Sequence, residues 1–128
     1  MALNLHLLEE RSAVCRLPAG SSLPAWFIPG ALAHVSWTHE EVSIVCQEDQ
    51  APEDAQCERG WRTLMLRGPF AFDQTGILTQ VLDPLAQAGV GIFAVSTFDT
   101  DYVMVKQHQL PEALQALRAA GHTLHEHR

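Results

Sequence analysis

The sequence predicts an α+β protein, and three observations along its 128 residues indicate this class. In the second half of the chain, segments with strand and helix periodicity follow one another in the order β-α-β-β-α-β. The first half holds short apolar strand segments and no long helical segment. A polar, acidic stretch over residues 47–60 divides the two halves and has the composition of a linker.

The first half is predicted to contain four short strands, at residues 3–8, 13–17, 32–37 and 42–46. Each is apolar, with β-branched or aromatic residues in part, and turn-forming residues separate them. Residues 18–24, PAGSSLP, cluster proline, glycine and serine. We therefore expect a loop at this point, where a long helix cannot form.

The second half begins with a strand followed by a helix. Residues 61–67 are the strand, which a Gly-Pro pair ends. Residues 75–88 place apolar side chains on one helical face, and Gly89 stands where a C-terminal capping glycine is expected. Pro84 lies inside this helix. Because the apolar spacing continues beyond it, we expect a kink and not a break.

Two further strands, a second helix and a last strand complete the second half. Residues 91–97 and 102–106 are predicted strands joined by a hairpin-like connection. Pro111 begins a helix that Gly121 ends, and residues 122–126 are the last strand. The resulting βαββαβ order is that of the ferredoxin-like fold, in which two helices cover one face of an antiparallel sheet.

An internal repeat indicates that the first half is a shortened copy of part of the second. Residues 35–47 align without a gap to residues 95–107, at an offset of 60 residues and with four identities. The first copy has no room for the first helix of the second. We therefore predict an abbreviated N-terminal unit over residues 1–58 and a complete domain over residues 59–128.

Three segments of the chain resemble the ACT domain. These are FAFDQTGIL at residues 70–78 and PLAQAGVGIFAVSTFDTDYVMV at residues 84–105, together with WTHEEVSIV at residues 37–45, which is similar to the degenerate first unit of small tandem ACT proteins. The chain is also similar to the ACT regulatory units of aspartate kinases and of the cytosolic arginine sensor. The resemblance covers almost the whole chain.

The resemblance implies a regulatory module that binds an amino acid at an interface between paired ACT units. It implies no cofactor and no catalytic activity, and we expect a homodimer. Because the chain has no segment that could supply the catalytic domain of an aspartate kinase, any regulated enzyme would be reached in trans. The ligand-binding residues that the resemblance implies are Asp73, Gln74, Thr75, Gly76, Ile77, Leu78, Ser96, Thr97, Phe98 and Asp101.

The chemistry of these residues suits an amino-acid ligand. A helix N-terminus offers N–H groups to a carboxylate, and Gly76 leaves the backbone open to a ligand there. Asp101 can hold an ammonium group or a basic side chain, and the repeat aligns it with the acidic Glu41. Structural roles are the alternative: Asp73 or Thr75 would cap the helix, and the acidic residues of the hairpin would form its turn.

Composition argues against nucleic-acid and membrane partners. Eight Lys and Arg residues against fifteen Asp and Glu residues give a net charge of −7, which disfavours phosphate binding. The chain has no apolar run of about 20 residues and no signal-peptide pattern at its start. We expect a cytoplasmic protein in which Cys15 and Cys46 are buried, reduced thiols.

Other sites are not indicated by the sequence. The histidines in residues 122–127 lack a recognised zinc spacing, so we expect incidental surface histidines and no metal site. No nucleophile elbow or phosphate-binding loop is present, and a small ferredoxin-like enzyme would need an acid–base pair that we do not find. The alternative to an amino-acid sensor is an interaction module that dimerises or docks on a partner without a ligand.

Overall fold

A computed structural model describes residues 2–67 and 76–126 of the chain. The chain folds as an α+β protein with a ferredoxin-like βαββαβ domain, which confirms the predicted fold class. It divides into two compact units, here called the first unit (Glu10–Trp61) and the second unit (Met1–Glu9 with Arg62–Arg128). The division at residue 58, drawn from the sequence, stays a prediction about domains.

The strands and helices follow one another in an order close to the predicted one. They are β1 (Asn4–Pro18), β2 (His34–Trp37), β3 (Glu41–Gln47), β4 (Gln56–Leu66), α1 (Thr79–Gln87), β5 (Ile92–Ser96), β6 (Asp101–Lys106), α2 (Leu110–Ala119) and β7 (Thr123–Glu126). β1 and β4 each contribute residues to both units. Neither helix of the described residues has the length and apolar character needed to cross a bilayer.

The sheet of the second unit contains one strand more than the predicted motif. Asn4 to Leu7 of β1 pair in parallel with Thr123 to Glu126 of β7, and β1 is hydrogen-bonded on its other side to β4. The strand order is therefore β7-β1-β4-β6-β5, with the beginning of the chain between two strands of the βαββαβ motif. The N–H of Arg67 donates to the carbonyl of Asn4 at 3.0 Å, just after the end of β4.

The core of the second unit lies between this sheet and its two helices. Alternate residues of β1, β4 and β6 point toward the helices, as the period of two in a strand requires. The helices present residues four apart, such as Val81 and Leu85. Residues of this core that are completely buried are Leu5, Leu64, Leu66, Val81, Leu85, Val103, Val105, Ala113 and Leu117.

The two helices end in the same way. In α1 the N–H of Gly89 donates to the carbonyl of Ala86, and the N–H of Val90 donates to that of Leu85. The same pair of bonds ends α2, with Gly121 in the place of Gly89. Both glycines have positive φ, 75° and 97°, which is the left-handed conformation that this Schellman motif requires. α1 continues through Pro84, so the predicted absence of a break is confirmed.

The first unit has no helix that covers its sheet. β3 pairs antiparallel with β1 and with β2. The long connection between β1 and β2 forms no helix, as predicted, and its Trp26 and Phe27 pack on the core. The buried residues of that core are Ala13, Cys15, Val42, Ile44, Cys46 and Ala51.

Two sequence predictions for the first half of the chain are wrong. The predicted strands at residues 3–8 and 13–17 are one strand, because the intervening Glu-Glu-Arg-Ser contains no proline or glycine to turn the chain. Cys15 is not a free thiol, since it forms a disulfide with Cys57, at a Cα–Cα distance of 4.1 Å. The spacing of the cysteines did not indicate the neighbouring strands β1 and β4 that bring these two together. Cys46 is free and buried.

Candidate functional site

The hairpin formed by β5 and β6 carries four of the predicted binding residues. Ser96 faces Asp101 across the two strands, and the Ser96 hydroxyl donates a hydrogen bond to the Asp101 carboxylate. Residues 97–100 form the turn. The N–H and the hydroxyl of Thr97 both donate to the carbonyl of Thr100, at 2.8 and 3.0 Å. Local hydrogen bonds thus fix the turn, and the Ser96 hydroxyl holds the Asp101 carboxylate where the two strands enter the turn.

This hairpin also forms one edge of the sheet. β5 is the terminal strand of the described sheet, next to β6. Ile92 at its start is 38% exposed, and Phe98 in the turn is 77% exposed. An edge strand that carries exposed apolar side chains is a surface on which another strand can pair.

The beginning of α1 carries three more of the predicted residues. Gly76 is exposed and has a φ of +77°. The side chain of Ile77 is buried in the core, and that of Leu78 packs against the same core. Leu78, at the N-cap position, makes no side-chain hydrogen bond to the helix. A ligand at this point would therefore contact mainly the backbone of residues 76–78.

The remaining predicted residues, Asp73, Gln74 and Thr75, lie outside the described residues. Their ligand contacts, and the capping of α1 by Asp73 or Thr75, stay predictions. The topology nevertheless relates the two described groups. β4 and β5 are joined through α1, a crossover connection that runs the two strands in the same direction. The start of α1 and the turn after β5 therefore lie toward the same end of the sheet.

Substitution of Gly76 tests whether its backbone conformation is needed. We expect Gly76→Ala to lower the free energy of unfolding by about 1 kcal/mol, because a side chain disfavours positive φ. An added Cβ would meet nothing within 4 Å, so crowding would not contribute. Gly91→Ala is the matched control, since Gly91 has equal space and no positive φ. Urea denaturation measures both, and equal losses would contradict the conformational explanation.

The internal repeat is present in the structure at an offset of 59 residues. The N–H and the hydroxyl of Thr38 both donate to the carbonyl of Glu41, each at 3.0 Å, as in the turn of the second unit. Glu41, the first residue of β3, therefore corresponds to Thr100, and the buried Val42 corresponds to Asp101. The predicted correspondence of Glu41 with Asp101 is wrong, because sequence identities favoured a register that differs from the hydrogen bonds by one residue.

The first unit consequently lacks a counterpart of the hydroxyl–carboxylate pair. At the end of its hairpin Trp37 faces Val42, and Ser36 faces Ser43. Glu41 instead lies 3.5 Å from Arg16 in an exposed ion pair. Thr38 and Thr97 occupy the same position in the two turns and mark the correct register. The alignment by sequence identity did not use this pair.

The histidines near the end of the chain have structural partners, and the prediction of incidental surface histidines is wrong for His122. His122 is buried and hydrogen-bonded to the backbone of Leu3 and Gln80. The ring of His125 stacks on that of His6, with 4.6 Å between centroids. Within residues 2–67 and 76–126, no group of three or more His, Cys, Asp or Glu side chains is placed to hold a metal ion.

Three surface depressions of the described residues lie away from the hairpin. One of about 190 Å³ lies between α1 and the end of α2 and includes Thr79 and His122. A second, of about 380 Å³, lies against the same two helices and includes Gln87 and Ala116. The third, of about 320 Å³, lies in the first unit and includes Glu10. The start of α1 therefore borders the first of these depressions.

Both halves of the chain match models of known protein families. A family model described as the ACT domain matches residues 56–119, and a model of an N-terminal domain matches residues 10–54. Over 59 residues the chain is 32% identical to the human and bovine proteins named cytosolic arginine sensor for mTORC1 subunit 1, covering 45% of this chain and 18% of each sensor. The chain thus spans less than a fifth of the length of these curated relatives.

Solved structures extend the likeness to the whole chain. A crystal structure of a protein from Agrobacterium tumefaciens has a TM-score of 0.94 and 38% identity, covering 100% of this chain and 96% of that one. A Vibrio cholerae protein of unknown function, described as a possible transport protein, has a TM-score of 0.71 and 17% identity over 88% and 85% of the two chains. The regulatory subunit of aspartate kinase from Thermus thermophilus has a TM-score of 0.61 and 7% identity over 88% and 93%. The last two similarities concern the fold alone.

Proposed function

Because the chain belongs to the ACT domain family, we propose that it is a non-catalytic regulatory protein that binds an amino acid at an interface between two ACT units. The observation that carries this proposal is the hairpin at the sheet edge. There the Asp101 carboxylate, oriented by the Ser96 hydroxyl, lies beside a strand that can pair with a second unit.

The proposed site binds the two charged groups of an amino acid at different places. The ammonium group would bind the carboxylate of Asp101 by a charge-assisted hydrogen bond. The carboxylate of the ligand would bind N–H groups at the start of α1, where the helix dipole favours negative charge. Thr97, Phe98 and the backbone of residues 76–78 would line the site. We propose that Asp73, Gln74 and Thr75 complete it.

We propose that another copy of the chain supplies the partner ACT unit at this interface. β5 offers an edge for pairing, and Ile92 and Phe98 offer apolar area that such pairing would bury. The first unit lacks the hydroxyl–carboxylate pair, which favours one intact unit from each of two chains. We propose a homodimer whose sheets join at β5 and whose output passes to an enzyme in trans.

The ligand class that fits best is a basic amino acid. The curated relatives, which match over 59 residues, are named arginine sensors. A basic side chain would be attracted by the net negative charge of the protein and by the Asp101 carboxylate near the β5 edge. We carry over to this chain only the preference for a basic amino acid, because the chain spans less than a fifth of the length of those relatives.

A thermal-shift screen of the twenty amino acids at millimolar concentration tests the proposal. We expect one or two L-amino acids to raise Tm, since a ligand that binds only the folded state stabilises it, and the D-enantiomers to have no effect. Asp101→Asn should weaken binding of the active ligand roughly tenfold or more, because it removes a charged hydrogen-bond partner. Asp99→Asn, at an exposed turn position two residues away, should bind as the wild type does.

The alternative is an interaction module without a ligand, which the exposed β5 edge also favours. Sedimentation of the same samples measures the oligomeric state and, together with the Tm shifts, distinguishes the two functions. A folded dimer that shows no Tm shift with any amino acid would support the interaction module. Equal affinities of Asp101→Asn and Asp99→Asn for an active ligand would place the site elsewhere on the protein.

A further inference from the structure

We propose that Cys15 and Cys57 are a site of reversible thiol oxidation, and that their disulfide controls whether the first unit is folded. All three cysteines of the chain lie in this unit. Cys15 and Cys57 are bonded, and Cys46 is free in the same core. The second unit contains no cysteine, so a thiol reagent acts on one unit only.

The first unit is built in a way that makes it depend on a covalent link. Its hydrophobic cluster has six buried residues, two of them alanines, and none comes from a helix. The hydrophobic cluster of the second unit has fourteen buried residues among those that the structure describes, and they lie between a sheet and two helices. Small units with so little buried apolar surface are commonly held by disulfides.

The position of the disulfide matches this need. It joins residues 42 positions apart and encloses most of Glu10–Trp61 in one covalent loop. β2, β3 and the apolar Trp26–Phe27 pair all lie inside the loop. Closing a loop of this length removes much of the conformational freedom of the unfolded unit, so opening it should favour unfolding of that unit.

The burial of the two sulfurs determines how a dithiol would open the bond. Cys57 is half-buried, whereas Cys15 is 1% exposed. A reductant thiolate therefore attacks the Cys57 sulfur and Cys15 leaves as a thiolate, which takes up a proton. The second thiol of the reductant then displaces Cys57 from the mixed disulfide. Two electrons and two protons pass from the dithiol to the protein, and the reductant becomes a cyclic disulfide.

Cys46 takes no part in this exchange. Its side chain is completely buried, and burial raises the pKa of its thiol. The thiol is therefore protonated near neutral pH, and the thiolate that would attack the neighbouring disulfide is scarce. Cys46 thus stays reduced while the other two cysteines change state.

Thiol counting and amide exchange on the whole protein test the proposal. After treatment with oxidised dithiothreitol, denatured protein should show one titratable thiol, and after reduced dithiothreitol three. Reduction should speed amide exchange in β2 and β3 roughly 30-fold or more, and change that of α2 and β6 less than twofold. Three thiols in the oxidised sample, unchanged exchange, or an equal rise in both units would each overturn the proposal.

Single substitutions test the role of the disulfide and supply the control. Cys15→Ser and Cys57→Ser cannot form the bond, so amide exchange in β2 and β3 of each variant should match that of the reduced wild type, with or without dithiothreitol. Cys46→Ala keeps the disulfide and should retain the full exchange response to dithiothreitol. If Cys46→Ala abolished that response, the switch would depend on the wrong thiol and the proposal would fail.

Discussion

Replacing His122 with alanine is expected to lower the free energy of unfolding by about 3 kcal/mol, because two backbone groups, one buried and one partly buried, would lose their partner. The Leu3 N–H donates to Nδ1 of the ring at 3.1 Å. Nδ1 must therefore be the unprotonated nitrogen, and Nε2 carries the hydrogen that is donated to the carbonyl of Gln80 at 2.8 Å. One 5% exposed imidazole thus connects the start of β1 to α1.

The carbonyl of Gln80 needs this partner because of Pro84. In an α-helix the N–H of residue 84 would bond to the carbonyl of residue 80, and proline has no N–H. His122 supplies the missing donor from outside the helix. Without it, the proline would leave an unsatisfied carbonyl beside the core.

A double-mutant cycle tests this relationship. In a Pro84→Ala background, Ala at position 84 can bond to Gln80, so His122→Ala should cost about 1 kcal/mol less than in the wild type. Urea denaturation gives all four free energies. His108→Ala, on an exposed histidine, should change stability by less than about 0.5 kcal/mol. Strictly additive losses at His122 and Pro84 would show that the two residues do not act on the same carbonyl.

Leu5→Ala is expected to destabilise the protein by about 3 kcal/mol, although Leu5 lies only five positions from the start of the sequence. Its side chain is completely buried in the core of the second unit, and truncating a buried leucine leaves a cavity. Leu23→Ala is the control, because Leu23 is 47% exposed. Urea midpoints measure both. A loss at Leu5 no larger than that at Leu23 would mean that the first strand is not an integral part of the core.

The position of Leu5 illustrates what local sequence patterns could and could not predict. The helices and the β5–β6 hairpin follow from apolar periodicity, Pro111 and the two capping glycines, all within a few residues of the elements they define. The insertion of β1 between β7 and β4 depends on pairing across more than a hundred residues, for which periodicity carries no signal.

The geometry around the candidate site was predictable to a similar extent. Ser96 and Asp101 are both among the predicted site residues, and the structure brings the two together through a hydrogen bond, while their binding of a ligand stays a prediction. The matching of Asp101 with Glu41 failed because a one-residue change of register moves every side chain to the other face of a strand. The disulfide was missed for the same kind of reason: Cys15 and Cys57 meet only through the pairing of β1 with β4.

The pairing of β1 with β7 has a consequence for how the protein is made. Residues 4–7 leave the ribosome about 119 residues before their partners at 123–126. At bacterial or eukaryotic rates of roughly 5–20 residues per second, they wait on the order of ten seconds. During that time Leu5 and Leu7 have no completed sheet to enter and are available to chaperones. The second unit therefore completes its folding only after translation has passed residue 126, whereas the strands that form the sheet of the first unit, β1 to β4, have all been made by residue 66.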